Sequence, residues 1–446
     1  MFIKIKKSYK FCLCSSRNQS LSIYFRKNLL VVLVLGLISG LPLALTASTL
    51  AVWLTESSVS LGAIGLFAAV GVPYSLKFLW SPLVDGFPIP ILTKLFGKRR
   101  AWLVFSQVFL MASLVALGLS SPTENAWWVA FFALLVAISS ATQDIVIDAY
   151  RVEILYSEEQ GAGAAMAVLG YRLGMIISGA GALYLATYFG WQATYMIMAA
   201  IVPFAWVALM VGGEPQMVDS GQWVVDGKQE NNNYHSPFTI HHTPKDWVQA
   251  HIIAPFVDFM QRDGWIMILL FIVLYKLGDA FMGSMTNPFL IQIGFAKAQI
   301  ATVVKLYGVI ATIIGSLIGG VLVARIGVMR TLWICGIAHA LTNLMFVAQA
   351  RIGADVQFLA VSISLENISG GMGMAAFVAF ISGLVNKQFT ATQYALLSSI
   401  SSLGRTALAA PAGYIAEFLG WEGFFIFSVL LAAPALIVLR FLQRRQ

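Results

Sequence analysis

Charge is scarce in this chain. Asp, Glu, Lys and Arg make up 11% of its 446 residues, against about 25% in an ordinary globular domain. Hydrophobic residues reach 59% and the mean hydropathy is +0.81, which excludes a soluble fold. Cysteine is scarcer still: Cys12, Cys14 and Cys335 give neither a disulfide framework nor zinc-ligand spacing. The chain contains no His-Glu-x-x-His and no Gly-x-Ser-x-Gly, and so offers no signature of a membrane hydrolase. No short apolar core with a small-residue cleavage site precedes Leu29. Lys4, Lys6, Lys7, Lys10, Arg17, Arg26 and Lys27 therefore read as a basic cytoplasmic leader over 1–28, not a removed signal peptide.

Apolar stretches of roughly 20 residues are abundant, and each can cross ~30 Å of hydrocarbon at 1.5 Å per residue. They predict helices at about 29–54, 61–84, 101–120, 127–149, 163–188 and 191–211. A second set follows at about 265–293, 300–324, 328–350, 356–382, 393–416 and 421–440. The fold class is an all-α membrane protein of twelve transmembrane helices in two pseudo-symmetric six-helix bundles, 29–211 and 265–440. A cytoplasmic linker over 212–264 joins them, and a tail over 441–446 follows.

Of the 28 Lys and Arg residues, Lys297 and Arg351 lie in loops on one side, and Lys77, Arg172, Lys276, Lys305 and Arg405 lie within spans. All the others fall on the opposite side, which the positive-inside bias makes cytoplasmic, with both termini there. This placement accounts for the net charge of +8 without nucleic acid as a partner. In the linker, Val248, Ile252, Phe256, Phe259 and Met260 recur at helical spacing, predicting a short amphipathic helix on the inner membrane surface. His235, His241, His242 and His251 are too scattered to specify a metal site, and neither metal nor cofactor is expected.

The halves resemble each other. LATYFGW at 185–191 aligns with IAEFLGW at 415–421, so Gly190-Trp191 and Gly420-Trp421 occupy corresponding places in the two sets of helices. Such paired bundles are the architecture of carriers that rock around a midplane site. The loop after span two ends in Gly97, Lys98, Arg99 and Arg100, and the loop after span eight holds Gly327 and Arg330. These loops resemble the signature of the major facilitator superfamily: a Gly, an Asp and basic residues between helices two and three of each half. The first copy keeps Asp85, whereas the second has Ala324 where Asp is expected. The resemblance implies a cytoplasmic gate, assigned to Asp85 and Arg100.

An unpaired charge at mid-span costs about 2.5 to 3.5 kcal/mol on insertion scales, so the intramembrane charges need partners or work. Asp144 and Asp148 share a face of span four. In one reading they pair with Lys77 and Arg172 and lock the first bundle; in the other, one of them carries a proton. Lys276 and Asp279, three residues apart, form a local pair, and Glu366 beside Asn367 has no neutralising neighbour in sequence. Arg172 and Arg405 lie on corresponding helices and suit a carboxylate, which favours an anionic substrate. Gly36 and Gly40, Gly170 and Gly174, and Gly315 and Gly319 are spaced for close helix packing. Pro42 and Pro288 would kink helices one and seven.

Seven blocks in order resemble a narrower family. Leu37 to Thr55 (LISGLPLALTASTLAVWLT), Lys77 to Asp85 (KFLWSPLVD), Ala141 to Tyr150 (ATQDIVIDAY), Gly161 to Gly174, Val273 to Phe281 (VLYKLGDAF), Glu366 to Gly383 and Thr390 to Arg405 are similar to AmpG-type muropeptide permeases. That resemblance implies a proton-driven importer in the inner membrane of a Gram-negative bacterium. Its cargo would be N-acetylglucosaminyl-1,6-anhydro-N-acetylmuramyl peptides, feeding cell-wall recycling and beta-lactamase induction. On this reading Lys77, Arg172, Lys276, Arg405, Tyr150, Tyr171 and Asn367 bind cargo, and Asp144, Glu366, Asp148 and Asp279 serve proton coupling. The partners are the muropeptide, the proton and the lipid bilayer, with the protein a monomer. The alternative is a carrier of another anionic conjugate, such as acetyl-coenzyme A or a siderophore.

Overall fold

A backbone in hydrocarbon finds no water to bond, so its N–H and C=O groups must be satisfied within helices. Helix accordingly dominates the computed structural model, which describes residues 21–59, 67–215, 224–225, 228–229, 244–409 and 411–445. Cys12, Cys14, most of the basic leader, His235, His241, His242 and the start of the second predicted span lie outside the described residues. So do the side chains of Lys305 and Arg405.

Among the described residues, nine stretches are long and apolar enough to cross a membrane. One of them, Ser157–Gly212, has 56 residues, about twice what a span requires. It is divided at Gly190, whose φ of 78° and ψ of 167° leave the helical region. The predicted second span is instead a chain of short turns, Phe67–Gly71, Val72–Leu76, Lys77–Leu79 and Ser81–Gly86, where Pro73 and Pro82 interrupt the helical bonds. The predicted first and seventh spans are also broken, between Lys27–Thr46 and Ser48–Glu56 and between Trp265–Tyr275 and Leu277–Gln292. The breaks fall at Ala47 and Lys276, several residues from Pro42 and Pro288.

The repeat read from one heptapeptide governs the backbone. The step along the chain that carries Gly190 to Gly420 also carries the start of the helix Lys98–Leu119 to the start of Val328–Ile352. Ala126–Ile154 and Val356–Leu384, each of 29 residues, keep the same offset at both ends. It recurs at the starts of Gln160–Ile176 and Thr390–Ala409, and of Ala182–Ile201 and Ala412–Leu430. The special positions follow it too. Gly97 (φ 88°) matches Gly327 (φ 84°), and Gly190 (φ 78°) matches Gly420 (φ 66°), a region of φ/ψ open in practice only to glycine. The Asn125 side chain accepts from Trp127 N at 2.9 Å, and Asp355, its counterpart in the second half, accepts from Phe358 N at 2.7 Å. Both cap orphan N–H groups at helix starts.

Contacts divide the chain into two compact units: Tyr24–Gln261 with Ile381–Ser399, and Arg262–Phe380 with Ile400–Gln446 and the first residues to Ile23. In the first unit, Lys27–Thr46 and Gln160–Ile176 meet at their glycines. A Cβ added to Gly36 would lie 2.7 Å from the Ala167 carbonyl oxygen, and one on Gly170 would collide with that of Leu33. Trp53 stacks on Trp191 at 5.8 Å, and the Tyr195 hydroxyl donates to Leu45 O at 2.9 Å. In the second unit, Phe289, Phe346, Phe424, Phe425 and Trp421 form an aromatic core. There Gly315 and Gly319 abut the backbone of Ile368 and Met372 in the same manner.

The predicted amphipathic helix is present as a continuous helical run, Pro244–Met260. Its apolar residues do not share one destination. Phe259 and Pro255 are buried, while Val248, Ile252, Val257 and Met260 face outward. The Trp247 ring packs on Phe87 and stacks on His251.

Candidate functional site

Three groups of charge stand out. In the first unit, the break around Lys77 turns its ammonium toward Asp148 on Ala126–Ile154, with Nζ 3.7 Å from Oδ2. Arg151 Nη2 lies 3.7 Å from Oδ1 of the same carboxylate, and its guanidinium sits 5.4 Å from the Tyr394 ring centre. At 3.7 Å these are ion pairs without hydrogen bonds, so Asp148 is shared loosely by two cations. One turn away, Asp144 accepts from the Ser39 hydroxyl at 2.6 Å. The Trp80 indole N–H donates to Thr142 Oγ1 at 3.1 Å.

Arg172 was expected to close this network and does not: it makes no ion pair among the described residues. Arg151 takes its place. Its position near a helix end suggests a cytoplasmic loop charge, yet only 1% of its side chain is exposed. The spacing of three residues from Asp148 was the available signal. Tyr150 is a second correction. It is fully buried, and its hydroxyl donates to Gly213 O at 2.8 Å, leaving no free group for cargo. Tyr171 is half-buried, with its backbone against Gly40.

In the second unit, the break at Lys276 sets this residue just before the half-helix Leu277–Gln292, with Asp279 in its first turn. Lys276 Nζ donates to Asp279 Oδ2 at 2.8 Å, the expected local pair. The other carboxylate oxygen faces a residue the sequence reading passed over: His339 Nε2 lies 2.7 Å from Asp279 Oδ1. The signal was there, since a histidine inside an apolar span is itself an ionisable group in the membrane. Glu366 also faces His339 and Lys276. Its Oε2 accepts from Asn367 Nδ2 at 2.6 Å, and Asn367 Oδ1 accepts from Thr312 Oγ1 at 2.8 Å. A cavity of about 30 Å³ opens among Tyr275, Lys276, Asp279, His339, Asn343 and Ser369.

The third group lies around Asp85, 4% exposed. Its carboxylate accepts from Arg99 Nη2 at 2.8 Å, from Thr392 N at 2.7 Å, from Thr392 Oγ1 at 2.8 Å and from Ala391 N at 3.3 Å. It thus caps the start of Thr390–Ala409 as well as pairing with a cation, both favoured at a helix N-terminus. Arg99 is held in turn by Glu153 at 2.6 Å. The sequence reading gave this cation as Arg100. In the structure Arg100 donates its backbone N–H to Glu214 Oε2 at 3.1 Å and holds its guanidinium 5.9 Å from the Phe96 ring centre. Beside the clamp, Asp258 of the linker helix accepts from Gln393 Nε2 at 2.8 Å and Asn386 Nδ2 at 3.1 Å.

Comparison with known proteins adds what geometry alone does not. The family model described as Major Facilitator Superfamily matches residues 32–278 and 267–446. The anhydromuropeptide permease of Escherichia coli (strain K12) is 42% identical over 424 residues, covering 95% of this chain and 81% of that one. The putative transporter AmpG 4 of Rickettsia felis is 39% identical over 416 residues, covering 93% and 96%. Among solved structures, the human organic anion transporter MFSD10 (TETRAN) aligns with a TM-score of 0.63 at 14% identity, over 94% of this chain and 98% of that one. It shares the fold. This multi-pass membrane protein belongs to the major facilitator superfamily, in its AmpG-type group of permeases.

Proposed function

We propose that the chain is a proton-coupled importer of N-acetylglucosaminyl-1,6-anhydro-N-acetylmuramyl peptides, working in a bacterial inner membrane with both termini cytoplasmic, as a monomer. The carrying observation is the 42% identity, over 95% of the chain, to a relative named for anhydromuropeptide transport. The chemistry of the buried groups supports it. A cargo with peptide carboxylates needs cations that are not already locked in short pairs. Lys77 at 3.7 Å from Asp148 and Arg172 without an acid among the described residues are of that kind. Lys276 serves the same cargo once its 2.8 Å pair with Asp279 opens, together with Tyr171 and Asn367, and Arg405 is assigned from sequence.

Asp144 and Glu366 carry protons in this reading, with Asp148 and Asp279 as their counterparts. Each proton entering supplies about 2.3 kcal/mol per 100 mV of membrane potential and about 1.4 per pH unit, enough for tenfold accumulation or more. Asp85 with Arg99 forms the cytoplasmic gate, and opening means withdrawing the Asp85 carboxylate from the N–H groups of Ala391 and Thr392. The import feeds cell-wall recycling and, through cytosolic fragment levels, beta-lactamase induction.

The test is uptake of radiolabelled muropeptide into proteoliposomes under an imposed proton gradient. Accumulation at least tenfold above a control without the gradient is expected, and Asp144→Asn should reduce it to that control. Failure to take up muropeptide while taking up another anionic conjugate, such as acetyl-coenzyme A or a siderophore, would transfer the cargo assignment to that conjugate. Full proton-driven uptake by Asp144→Asn would remove that residue from the coupling.

A further inference from the structure

His339 sits in Val328–Ile352, and its ring is approached at both nitrogens. Nε2 lies 2.7 Å from Asp279 Oδ1, the distance of an ion pair when Nε2 carries a hydrogen. Nδ1 lies 3.1 Å from Ser369 Oγ. A serine hydroxyl has one proton to give, and Ser369 gives it to Glu366 O at 2.8 Å. The neighbouring Thr342 hydroxyl, 3.1 Å from Ser369 Oγ, is likewise committed, donating to His339 O at 2.8 Å. With its proton on Glu366 O, Ser369 Oγ is free to accept from Nδ1, and a ring with a hydrogen on each nitrogen is an imidazolium.

The surroundings suit a group that gains and loses that charge. Asp279 is already satisfied by Lys276 at its other oxygen, so it needs the second cation less than an unpaired carboxylate would. Glu366, on Val356–Leu384, is the other acid facing the ring; Lys276 is the other cation. On the ring's own helix the titratable neighbour is Cys335, and beside Lys276 stands Tyr275. From the last two helices the cavity receives Ser428, Ala432, Ala435 and Leu436, none of them titratable at working pH. The cavity of about 30 Å³ has room for one or two waters, and the buried Asn343 Oδ1 in its wall has no protein partner.

We propose that His339 is a proton carrier of this unit, an imidazolium that passes its Nε2 proton to the Asp279 carboxylate across the 2.7 Å contact. The Nε2–H bond breaks and an O–H bond forms on Asp279. The imidazole keeps its Nδ1 hydrogen on the side of Ser369, and no other reactant is consumed. The role rests on the reading of the chain as a proton-coupled carrier, whereas the doubly protonated ring rests on the contacts of the ring alone.

Two measurements on the full chain test it. In proteoliposomes, His339→Gln is compared with the parent for muropeptide accumulation under a proton gradient and for counterflow without one. The ratio of accumulation to counterflow should fall at least tenfold, a split that a purely structural role would not produce; an unchanged ratio overturns the proposal. A parent that fails to accumulate muropeptide faults the carrier reading instead. In that case, or where His339→Gln loses counterflow too, the second measurement decides. A 15N-histidine spectrum is recorded on a chain whose His235, His241, His242 and His251 are replaced by Gln. Both ring nitrogens of His339 should be protonated at pH 7, and a neutral imidazole overturns the assignment.

Discussion

Arg99 and Arg100 are adjacent in sequence and opposite in consequence. Arg99 is 4% exposed between Asp85 and Glu153, and a buried ion that loses a partner is left uncompensated. Asp85→Ala should therefore lower stability by about 3 kcal/mol, read as a lower midpoint in a thermal-shift assay of the detergent-solubilised protein. Arg100→Ala, at a half-buried residue with no ion pair among the described residues, should cost no more than about 1 kcal/mol, the scale of its contact with the Phe96 ring. Which of two neighbouring arginines turns inward depends on helix phase, and the start of Lys98–Leu119 right after Gly97 set that phase. The sequence announced a basic cluster but not its rotation. The charged residues of the second unit were easier to find: Lys276 and Asp279 are one helical turn apart and meet as expected. His339 escaped because its partners Asp279 and Glu366 stand on two other helices, one earlier and one later in the chain. No local spacing announces such a meeting.

At the scale of helices, the small-residue spacings were legible and their purpose was correct. Gly170 faces the backbone of Leu33, where even a methyl collides, while a methyl at Gly179 would meet nothing within 4 Å. Gly170→Ala should destabilise by about 1 to 3 kcal/mol, the range for overpacking a tight contact, and Gly179→Ala should be nearly neutral; the two thermal-shift midpoints decide it. The breaks were less legible. Pro42 and Pro288 drew attention as kinks, but the helices part at Ala47 and Lys276. In hydrocarbon a neighbouring side chain can satisfy a freed carbonyl, as Gln143 Nε2 does by donating at 3.4 Å to Ile38 O, the carbonyl that Pro42 leaves without its N–H partner. The linker helix was found from its period, but period could not say that Asp258 would hold Gln393 and Asn386.

For the whole molecule, the all-helical membrane fold was readable because the length of an apolar stretch is set by the bilayer rather than by packing, and the sidedness of Lys and Arg supplies the proposed orientation. The orientation has a direct check. In intact cells a membrane-impermeant maleimide should label Arg351→Cys, whose parent side chain is 70% exposed. It should leave Lys387→Cys unlabelled until the membrane is permeabilised. Labelling in the reverse pattern would invert the topology.

One constant offset runs unbroken from the pair Gly97 and Gly327 to the pair Gly190 and Gly420, so neither half has gained or lost a residue relative to the other across those helices. The ionisable residues of the two buried clusters do not share it: His339 stands opposite Phe109, Glu366 opposite Val136, and Asp144 opposite Met374. A saturation-mutagenesis map would therefore correlate with itself, when shifted by that offset, wherever glycines and caps decide tolerance, and lose that correlation at the charges. Two layers of selection are written over each other in this chain, an inherited scaffold in duplicate and a chemistry acquired once in each copy.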